Sequence, residues 1–232
     1  MDIHKPKPVH SLREFLSEIV VVVCGIAIAL SGEQAIEAVH WSEKVSEGRE
    51  SLKRELAGTA GFFGFRVKSS ECVGRRLAEL NAITDDVIAH RHTAPLGDTS
   101  LHLGKLIPDD AWQAERASQS ITHFPRGELD GFSRIYSQQI DMRYWVNKEI
   151  EAWAVIRTIE GDPNRLSASD LSAIRSNIQL ARSYNYLISL NSAEQLKRMS
   201  ALHIEPSSTD RSNASLCAPM RRAMPSVPYS AY

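Results

Sequence analysis

The chain has 232 residues, and its 27 lysines and arginines nearly balance its 28 aspartates and glutamates, which leaves a formal net charge of −1. This balance argues against nucleic acid as a partner, because proteins that bind it carry a basic surface. Cys24, Cys72 and Cys217 form no Cys-x-x-Cys pair, so neither a zinc site nor a disulfide scaffold is predicted. Only Cys72 and Cys217 are candidates to pair, provided that the domain lies outside the cytoplasm.

The first predicted element is built on the uncharged residues 19–32. As a helix, this run would be about 21 Å long, shorter than the roughly 30 Å of a bilayer's hydrocarbon core. Apolar residues on both sides, with Trp41 at the far end, extend the pattern to residues 12–41. The sequence therefore predicts a transmembrane helix over residues 12–41, preceded by an N-terminal segment of residues 1–11.

Charges on the two sides of this helix predict its orientation. Lys5, Lys7 and Arg13 precede the apolar run, whereas residues 31–43 contain glutamates but no lysine or arginine. By the positive-inside rule, residues 1–11 are cytoplasmic and the rest of the chain lies on the other side of the membrane. In a bacterial inner membrane, that side is the periplasm.

Two other interpretations of the run stay open. The triplet Ala27-Ile28-Ala29 fits a signal-peptide cleavage site, which predicts a secreted soluble protein that begins near Gly32. A helix buried in a soluble core would be similarly apolar. Within the membrane interpretation, Gly25, Ala29 and Gly32 share one face and predict a homodimer, although glycine is also simply common in membrane helices.

Beyond residue 41 the pattern stays helical to about residue 91. Buried-type residues recur at spacings of three, four and their sums: Val45, Leu52, Leu56, Thr59, Phe63, Val73, Leu77, Leu80 and Val87. The segment GTAGFFGF, residues 58–65, brings in three glycines, each of which costs up to about 1 kcal/mol in a helix interior. It predicts either a kink or a place where another backbone comes close.

A loop is predicted over residues 93–108, followed by a short helix in DDAWQAERASQS, residues 109–120. Asp109 or Asp110 is the expected N-cap, and Asp110 with Gln113 fits a capping box. A third helix is predicted after Pro125, because apolar residues again recur at threes, fours and their sums. They are Leu129, Phe132, Tyr136, Ile140, Val146, Ile150, Trp153 and Ile156.

The last helix is the clearest element, with a capping signature in Ser167 and Asp170. Its stripe comprises Leu171, Ile174, Ile178, Ala181, Asn185, Ile188, Ser192, Gln195, Met199 and Leu202. This seam predicts a bundle whose register Asn185 fixes. Pro206 ends the helix, and the Ser/Pro-rich residues 205–232 are predicted to be disordered. The expected fold is all-α, with a transmembrane helix continuous with a three- to four-helix bundle over residues 42–204.

Several segments resemble a group of uncharacterised bacterial proteins. The resemblance rests on REFLSEIVVVVCGIAIALSGEQ at residues 13–34, DDAWQAERASQS at 109–120 and IYSQQ at 135–139. Members of the group have an N-terminal Glu-Ile-x-x-Val-x-x-Gly-Ile-x-Ile-Ala-Leu segment, taken to be a single-pass anchor, followed by a helical domain. The resemblance implies membrane placement and supplies no catalytic residues.

Three sets of side chains invite a chemical interpretation, and none predicts a site. His90, His92 and His102, with Asp98, Asp109 and Asp110, lack a fixed metal geometry and are expected at the surface or in caps. Glu128, Asp130, Asp141, Glu149 and Glu151 are expected on a solvated face beside Arg134, Arg143 and Lys148. Trp112, Tyr136, Tyr144, Trp145 and Trp153 are expected in the core unless two of them line a groove between helices.

The expected protein is a single-pass, membrane-anchored helical interaction or scaffold module of the bacterial cell envelope. No catalytic residue, cofactor-binding residue or metal ligand is predicted. The expected partners are the lipid bilayer, a second copy of the chain and another protein. The alternatives are an envelope enzyme with a nonstandard site, which predicts a cleft with convergent polar groups, and a secreted helical protein.

Overall fold

The computed structural model describes residues 12–99, 103–207, 218 and 220. Over these residues the chain is all-helical, as predicted, and has no strand. Four α-helices follow one another: α1 Leu12–Ile88, α2 Asp110–Ala117, α3 Arg126–Ile156 and α4 Ala168–Ala201. Single 3-10 turns lie at Ser120–His123, Arg157–Ile159 and Pro163–Arg165.

Helix α1 continues without a break through the glycine-containing residues 58–65. Of the two features predicted for this stretch, the close approach of another backbone is confirmed. The backbone N–H of Ser207 donates to the carbonyl of Ala57 at 3.0 Å, and Lys105 Nζ donates to the carbonyl of Gly58 at 2.9 Å. Small residues leave these helix carbonyls accessible, which explains how a glycine-rich stretch stays helical and still serves the fold.

Helices α1 and α3 run in the same direction, and α4 runs against both. The contacts that fix this are Arg49–Glu128, Glu55–Tyr136 and Arg66–Glu149 between α1 and α3, and Ser70–Asn185 and Asp85–Arg175 between α1 and α4. In the α1–α3 contacts the residue numbers of both partners increase together. In the α1–α4 contacts the number of one partner increases while that of the other decreases. The three long helices therefore pack side by side, with α4 against both others.

The predicted stripes of α1 and α4 are confirmed. All nine predicted positions on α1 are buried, and on α4 every predicted position from Leu171 to Met199 is buried while Leu202 is half-buried. The stripe of α3 is partly wrong, because Ile140 is 61% exposed and Ile150 is 47% exposed. Gln139 and Glu149, one residue earlier in each case, take the buried positions.

The first part of α1 is exposed and packs against no other described helix. Every described side chain from residue 12 to residue 40 is exposed, and none of the most apolar window is buried. The interpretation of this run as a helix buried in the protein's own core is therefore wrong. By length and composition, α1 is able to cross a membrane.

The ends of the chain are described only in part. Residues 1–11, predicted as a cytoplasmic segment, lie outside the described residues, as does most of the predicted tail of residues 205–232. Within that tail, Ser207 contacts α1 at Ala57, and Ala218 and Met220 contact it further along the helix.

Candidate functional site

Helix α1 changes from fully exposed to packed within two turns. His40 is exposed, Trp41 is half-buried, and Val45 is the first buried side chain of the core. The short 3-10 turn Ser120–His123 lies against α1 at this level. This junction, which we call the foot of the helical domain, holds an open cleft.

The Trp41 ring is fixed from two directions at the foot of the domain. It stacks on the His123 ring, with the centroids 3.7 Å apart and the planes 10° from parallel. Its indole Nε1 donates to Glu37 Oε1 at 3.2 Å. An amphipathic ring held in this way presents an apolar face and a satisfied polar edge, the arrangement that tryptophan adopts at membrane surfaces.

The cleft beside Trp41 has a volume of about 590 Å³. Its lining includes Glu37, Trp41, Val45, Arg49, His123 and Pro125. Arg49 binds the Glu128 carboxylate with two hydrogen bonds of 2.5 and 2.9 Å, and this bond raises the pKa of Arg49 above its usual value. Because Glu128 neutralises Arg49, the remaining polar side chains of the lining are Gln34, Glu37, Ser42 and His123.

Further along α1 from the cleft, Glu55 connects α1 to α2 and α3 by hydrogen bonds. Its carboxylate accepts the O–H of Tyr136 at 2.8 Å and the backbone N–H of Ala111 at 3.0 Å. The Tyr136 ring stacks on Trp112 with centroids 5.0 Å apart. Burial, followed by the bond to Glu55, raises the pKa of Tyr136 far above its ordinary value. The geometry of this corner thus depends on a carboxylate supplied by α1.

The predicted N-cap position of α2 is confirmed at Asp109, whereas the predicted capping box is wrong. The N-cap is Asp109, but its side chain makes no capping bond, and Asp110 and Gln113 form no capping box. Asp109 instead pairs with Arg143 at 3.2 Å, while Glu55 satisfies the Ala111 N–H at the start of the helix. Glu55, from another helix, therefore satisfies a backbone N–H that a carboxylate at the start of α2 was expected to satisfy.

A second polar group lies deep in the core, where α1, α3 and α4 meet. Arg66 donates to both oxygens of Glu149 at 2.6 and 2.8 Å and to Asn185 Oδ1 at 3.3 Å. Arg66 and Glu149 are both within 1% of full burial. The expectation that Glu149 lies on a solvated face is therefore wrong, because an arginine of another helix pairs with it inside the protein.

Asn185 lies in the helix seam, as predicted. Its Nδ2 donates to the backbone carbonyl of Ser70 at 3.0 Å, while its oxygen accepts from Arg66. These bonds join α4 to α1 at a single level along both helices. They satisfy every polar atom of a buried amide, which is the condition for such a residue to specify register.

The other residues weighed from the sequence are dispersed. His90 and His92 are exposed, and His102 lies outside the described residues. Over residues 12–99, 103–207, 218 and 220, no three His, Cys, Asp or Glu side chains group as a metal site would require. Among the aromatics, Tyr136 and Trp153 are buried, Trp112 and Trp145 pack against the core, and Tyr144 is exposed.

Sequence reasoning missed the residues that define the foot and the polar core, namely His123, Glu55 and Arg66. His123 had no periodic pattern around it, and the partners of Glu55 and Arg66 lie on other helices. The class of protein that fold and site define is an all-α protein with one helix long and apolar enough to cross a membrane. No protein-family model, curated protein or solved structure matches the chain.

Proposed function

We propose that this protein is a membrane-anchored helical interaction module of a bacterial cell envelope, with a three-helix bundle held close to the lipid surface. The observation that carries the proposal is the bare first part of α1. Its exposed large apolar side chains are Leu12, Phe15, Leu16, Ile19, Val20, Val21, Val22, Val23, Ile26, Ile28, Leu30, Ile36 and Val39. Water solvates such a surface poorly, whereas lipid covers it completely.

Helix continuity supports a defined position for the domain. No break separates the bare part of α1 from the part that packs against α3 and α4. A helix rises 1.5 Å per residue, so residues 15–35 cover about 30 Å and Trp41 follows about 9 Å further on. Trp41 and the cleft beside it would then lie at the level of the lipid headgroups, where tryptophan is enriched.

Charge supports one orientation. Arg13 lies at the start of α1, and Glu33, Glu37 and Glu43 lie on the domain side of the apolar stretch. The positive-inside rule then places the N-terminus in the cytoplasm and the helical domain in the periplasm.

Fractionation tests the anchor. Membranes from cells that express the full chain are washed with alkaline carbonate, and the protein is identified by its intact mass. We expect the full-length chain in the pellet. A chain in the soluble fraction that begins near Gly32 would contradict the anchor and favour the secreted form.

We also propose that the anchor pairs with a second copy through Gly25, Ala29 and Gly32. A Cβ added at Gly25 or Gly32 would meet no atom within 4 Å, so this face is open in the single chain. Leucines at both glycines should block close approach of two helices without disturbing the protomer. Crosslinking in intact cells should therefore yield dimers for the parent chain and far fewer for G25L/G32L.

The opposite face of the same helix supplies the matched control. Ala27 and Ser31 lie about half a turn away from the glycine face. The variant A27L/S31L should crosslink like the parent chain. Equal crosslinking of G25L/G32L and A27L/S31L would remove the glycine face from the proposal and leave the anchor untouched.

A further inference from the structure

The cleft beside Trp41, which we call the foot cleft, contains a carboxylate that keeps its charge. Glu37 is fixed by the indole N–H of Trp41, which donates to Oε1 at 3.2 Å. Because this donor is neutral, the bond orients the carboxylate without neutralising it. Oε2 stays available as a further hydrogen-bond acceptor that faces the foot cleft.

The one arginine of the lining does not offset this charge. Arg49 gives two hydrogen bonds to Glu128, and its guanidinium lies over the Phe124 ring at 5.8 Å from the centroid. Both its charge and its orientation are therefore taken up by the wall of the foot cleft. A ligand in the foot cleft meets an excess of negative charge, which favours a cationic group.

The lining of α1 has an order that matches one class of amphipathic molecule. Leu30 is apolar and 52% exposed, Gln34 follows one turn later, and Glu37 comes next. Gln34 and Glu37 are about 4.5 Å apart along the helix axis, which is the scale of the two-carbon bridge between phosphate and ammonium in an ethanolamine headgroup. An amide donor suits the phosphate and a carboxylate suits the ammonium group.

The type of ammonium group follows from the aromatic content of the foot cleft. A quaternary ammonium group has no N–H and is bound by a cage of several aromatic faces. Among the described residues that line the foot cleft, Trp41 is the one tryptophan, tyrosine or phenylalanine, and the His123 ring covers one of its faces. A primary ammonium group instead donates hydrogen bonds, for which Glu37 and the Ser42 hydroxyl are acceptors.

We propose that the foot cleft binds the headgroup of an ethanolamine phospholipid, with its ammonium group on the Glu37 carboxylate and its phosphate against the Gln34 amide. This inference rests on the proposed membrane anchor, which holds the foot cleft at the level of the headgroups. A bound headgroup would fix the depth of the helical domain and its rotation about α1.

The foot cleft does not compete with the proposed dimer face. Trp41 comes nine residues after Gly32 in sequence, about two and a half turns of helix, so the two lie on opposite sides of α1. A second copy bound through the glycine face would leave the foot cleft open to lipid.

Lipid competition tests the headgroup site. The full chain, purified in a nonionic detergent, is mixed with equal amounts of ethanolamine, choline and glycerol phospholipids that have the same acyl chains. Native mass spectrometry then counts the lipids that stay bound. We expect about tenfold more ethanolamine than choline lipid, because only the former donates a charge-assisted hydrogen bond to Glu37. Equal retention of these two lipids, or preferred retention of the anionic glycerol lipid, would overturn the proposal.

Two matched variants assign the preference to Glu37. Glu37→Gln keeps an oxygen that accepts the Trp41 N–H but removes the charge, so the ratio of ethanolamine to choline lipid should fall close to one. Glu43→Gln removes an exposed carboxylate outside the lining and should keep the tenfold ratio. A tenfold ratio that persists in Glu37→Gln, or that is lost equally in both variants, would contradict the assignment.

A third variant separates the two halves of the headgroup. Gln34→Leu removes the amide donor, and because both lipids carry the same phosphate, their retention should fall by similar factors while the ratio stays near tenfold. Unchanged retention of both lipids would contradict the phosphate contact.

Failure of the headgroup site is distinguishable from failure of the anchor. A full-length chain that stays in the carbonate pellet and shows no lipid preference would overturn the headgroup site and leave the anchor standing. A soluble chain that begins near Gly32 and still prefers ethanolamine lipid would support the headgroup site and contradict the anchor.

Discussion

Helix α1 consists of two parts that differ in their surroundings. From residue 12 to residue 40 every described side chain is exposed, and the large ones are mostly aliphatic. From Trp41 to Ile88 the helix has charged residues on its outer side and a buried stripe facing α3 and α4. Backbone hydrogen bonds are satisfied within the helix in both parts, so the backbone gives no sign of the change.

The difference is the one expected of a helix whose first part meets lipid, as proposed, and whose second part meets water and protein. A helix that meets water on one side and protein on the other needs an apolar stripe, whereas a helix that meets only lipid is apolar all round. The change falls between His40 and Val45, where the aromatic pair of Trp41 and His123 marks it. Substitutions that are identical in chemistry should therefore have different consequences in the two parts.

The largest effect is expected from charges in the apolar part. In V22R/I26R, each arginine should cost about 2.5–3.5 kcal/mol near the centre of a membrane helix. The share of full-length chain in the carbonate pellet should fall steeply. The matched control V67R/I88R puts two arginines at exposed apolar positions of the packed part, where Val67 is 38% and Ile88 is 41% exposed. A similar loss of both variants from the pellet would contradict the proposed difference between the apolar part and the packed part of α1.

In the packed part, the buried ion pair should be the most sensitive feature. Glu149→Ala leaves Arg66 charged and unpaired inside the protein, which should lower the free energy of unfolding by about 3–5 kcal/mol. Urea unfolding of the full chain in detergent measures this loss. The double variant R66M/E149L should recover most of it, because no buried charge remains. Glu151→Ala, at the exposed partner of Lys148, is the control and should change stability by less than about 0.5 kcal/mol.

The corner of Glu55 and Tyr136 should add a dependence on alkaline pH. The pKa of Tyr136 is raised in the folded state, so the unfolded chain loses this proton above about pH 10 while the folded chain keeps it. Stability from this group is full below pH 10 and declines as the pH rises further, by at most about 1.4 kcal/mol per pH unit. Tyr136→Phe should make the decline shallower.

Tyr144→Phe is the control for that measurement, because Tyr144 is 56% exposed. It should leave the alkaline slope of the unfolding free energy unchanged. Equal alkaline slopes of the unfolding free energy for the parent chain and Tyr136→Phe would show that Tyr136 does not cause the decline.

The smallest effect is expected at the start of α4. The Ser167 hydroxyl accepts the Asp170 N–H at 3.2 Å, and the Asp170 carboxylate accepts the Ser167 N–H at 3.0 Å. The Ser167 hydroxyl also donates to the Asp170 carboxylate at 2.6 Å, and this bond, followed by that from the Ser167 N–H, lowers the pKa of Asp170. Ser167→Ala should cost about 1 kcal/mol in urea unfolding. Ser172→Ala, at an exposed position two residues beyond Asp170, should cost almost nothing, and an equal loss in both variants would argue against the cap.

Local signals predicted the parts of the fold that depend on neighbours in sequence. The Ser167 capping box and the α4 seam through Asn185 are both confirmed, because helix caps and stripes repeat within a few residues. Glu149 was assigned to the surface because a carboxylate is a poor core residue until Arg66, 83 positions away, is known to face it. The predicted N-cap Asp109 is confirmed, but the capping box of α2 failed for the same reason, since Glu55, which accepts the Ala111 N–H, comes from another helix.

Of the two aromatic residues at the foot of the domain, only Trp41 was predictable from the sequence. Trp41 stands out at the end of an apolar run, and that pattern is typical of the interfacial position proposed for it. His123 stands in a short 3-10 turn with no periodicity, and only the tertiary fold brings it to the tryptophan. Contacts between elements far apart in the chain have no local sequence pattern, so the cleft could not be predicted from one sequence.

The most direct test of the central claim uses Cys24, which lies in the middle of the bare stretch and has a free thiol. In the variant C72S/C217S it is the sole cysteine, and a charged, water-soluble maleimide reports whether water reaches it. In membrane vesicles opened on both sides, we expect Cys24 to stay unmodified until detergent is added, because a charged reagent does not enter hydrocarbon. Modification in intact membranes as fast as in the denatured chain would place this part of α1 in water and contradict the account.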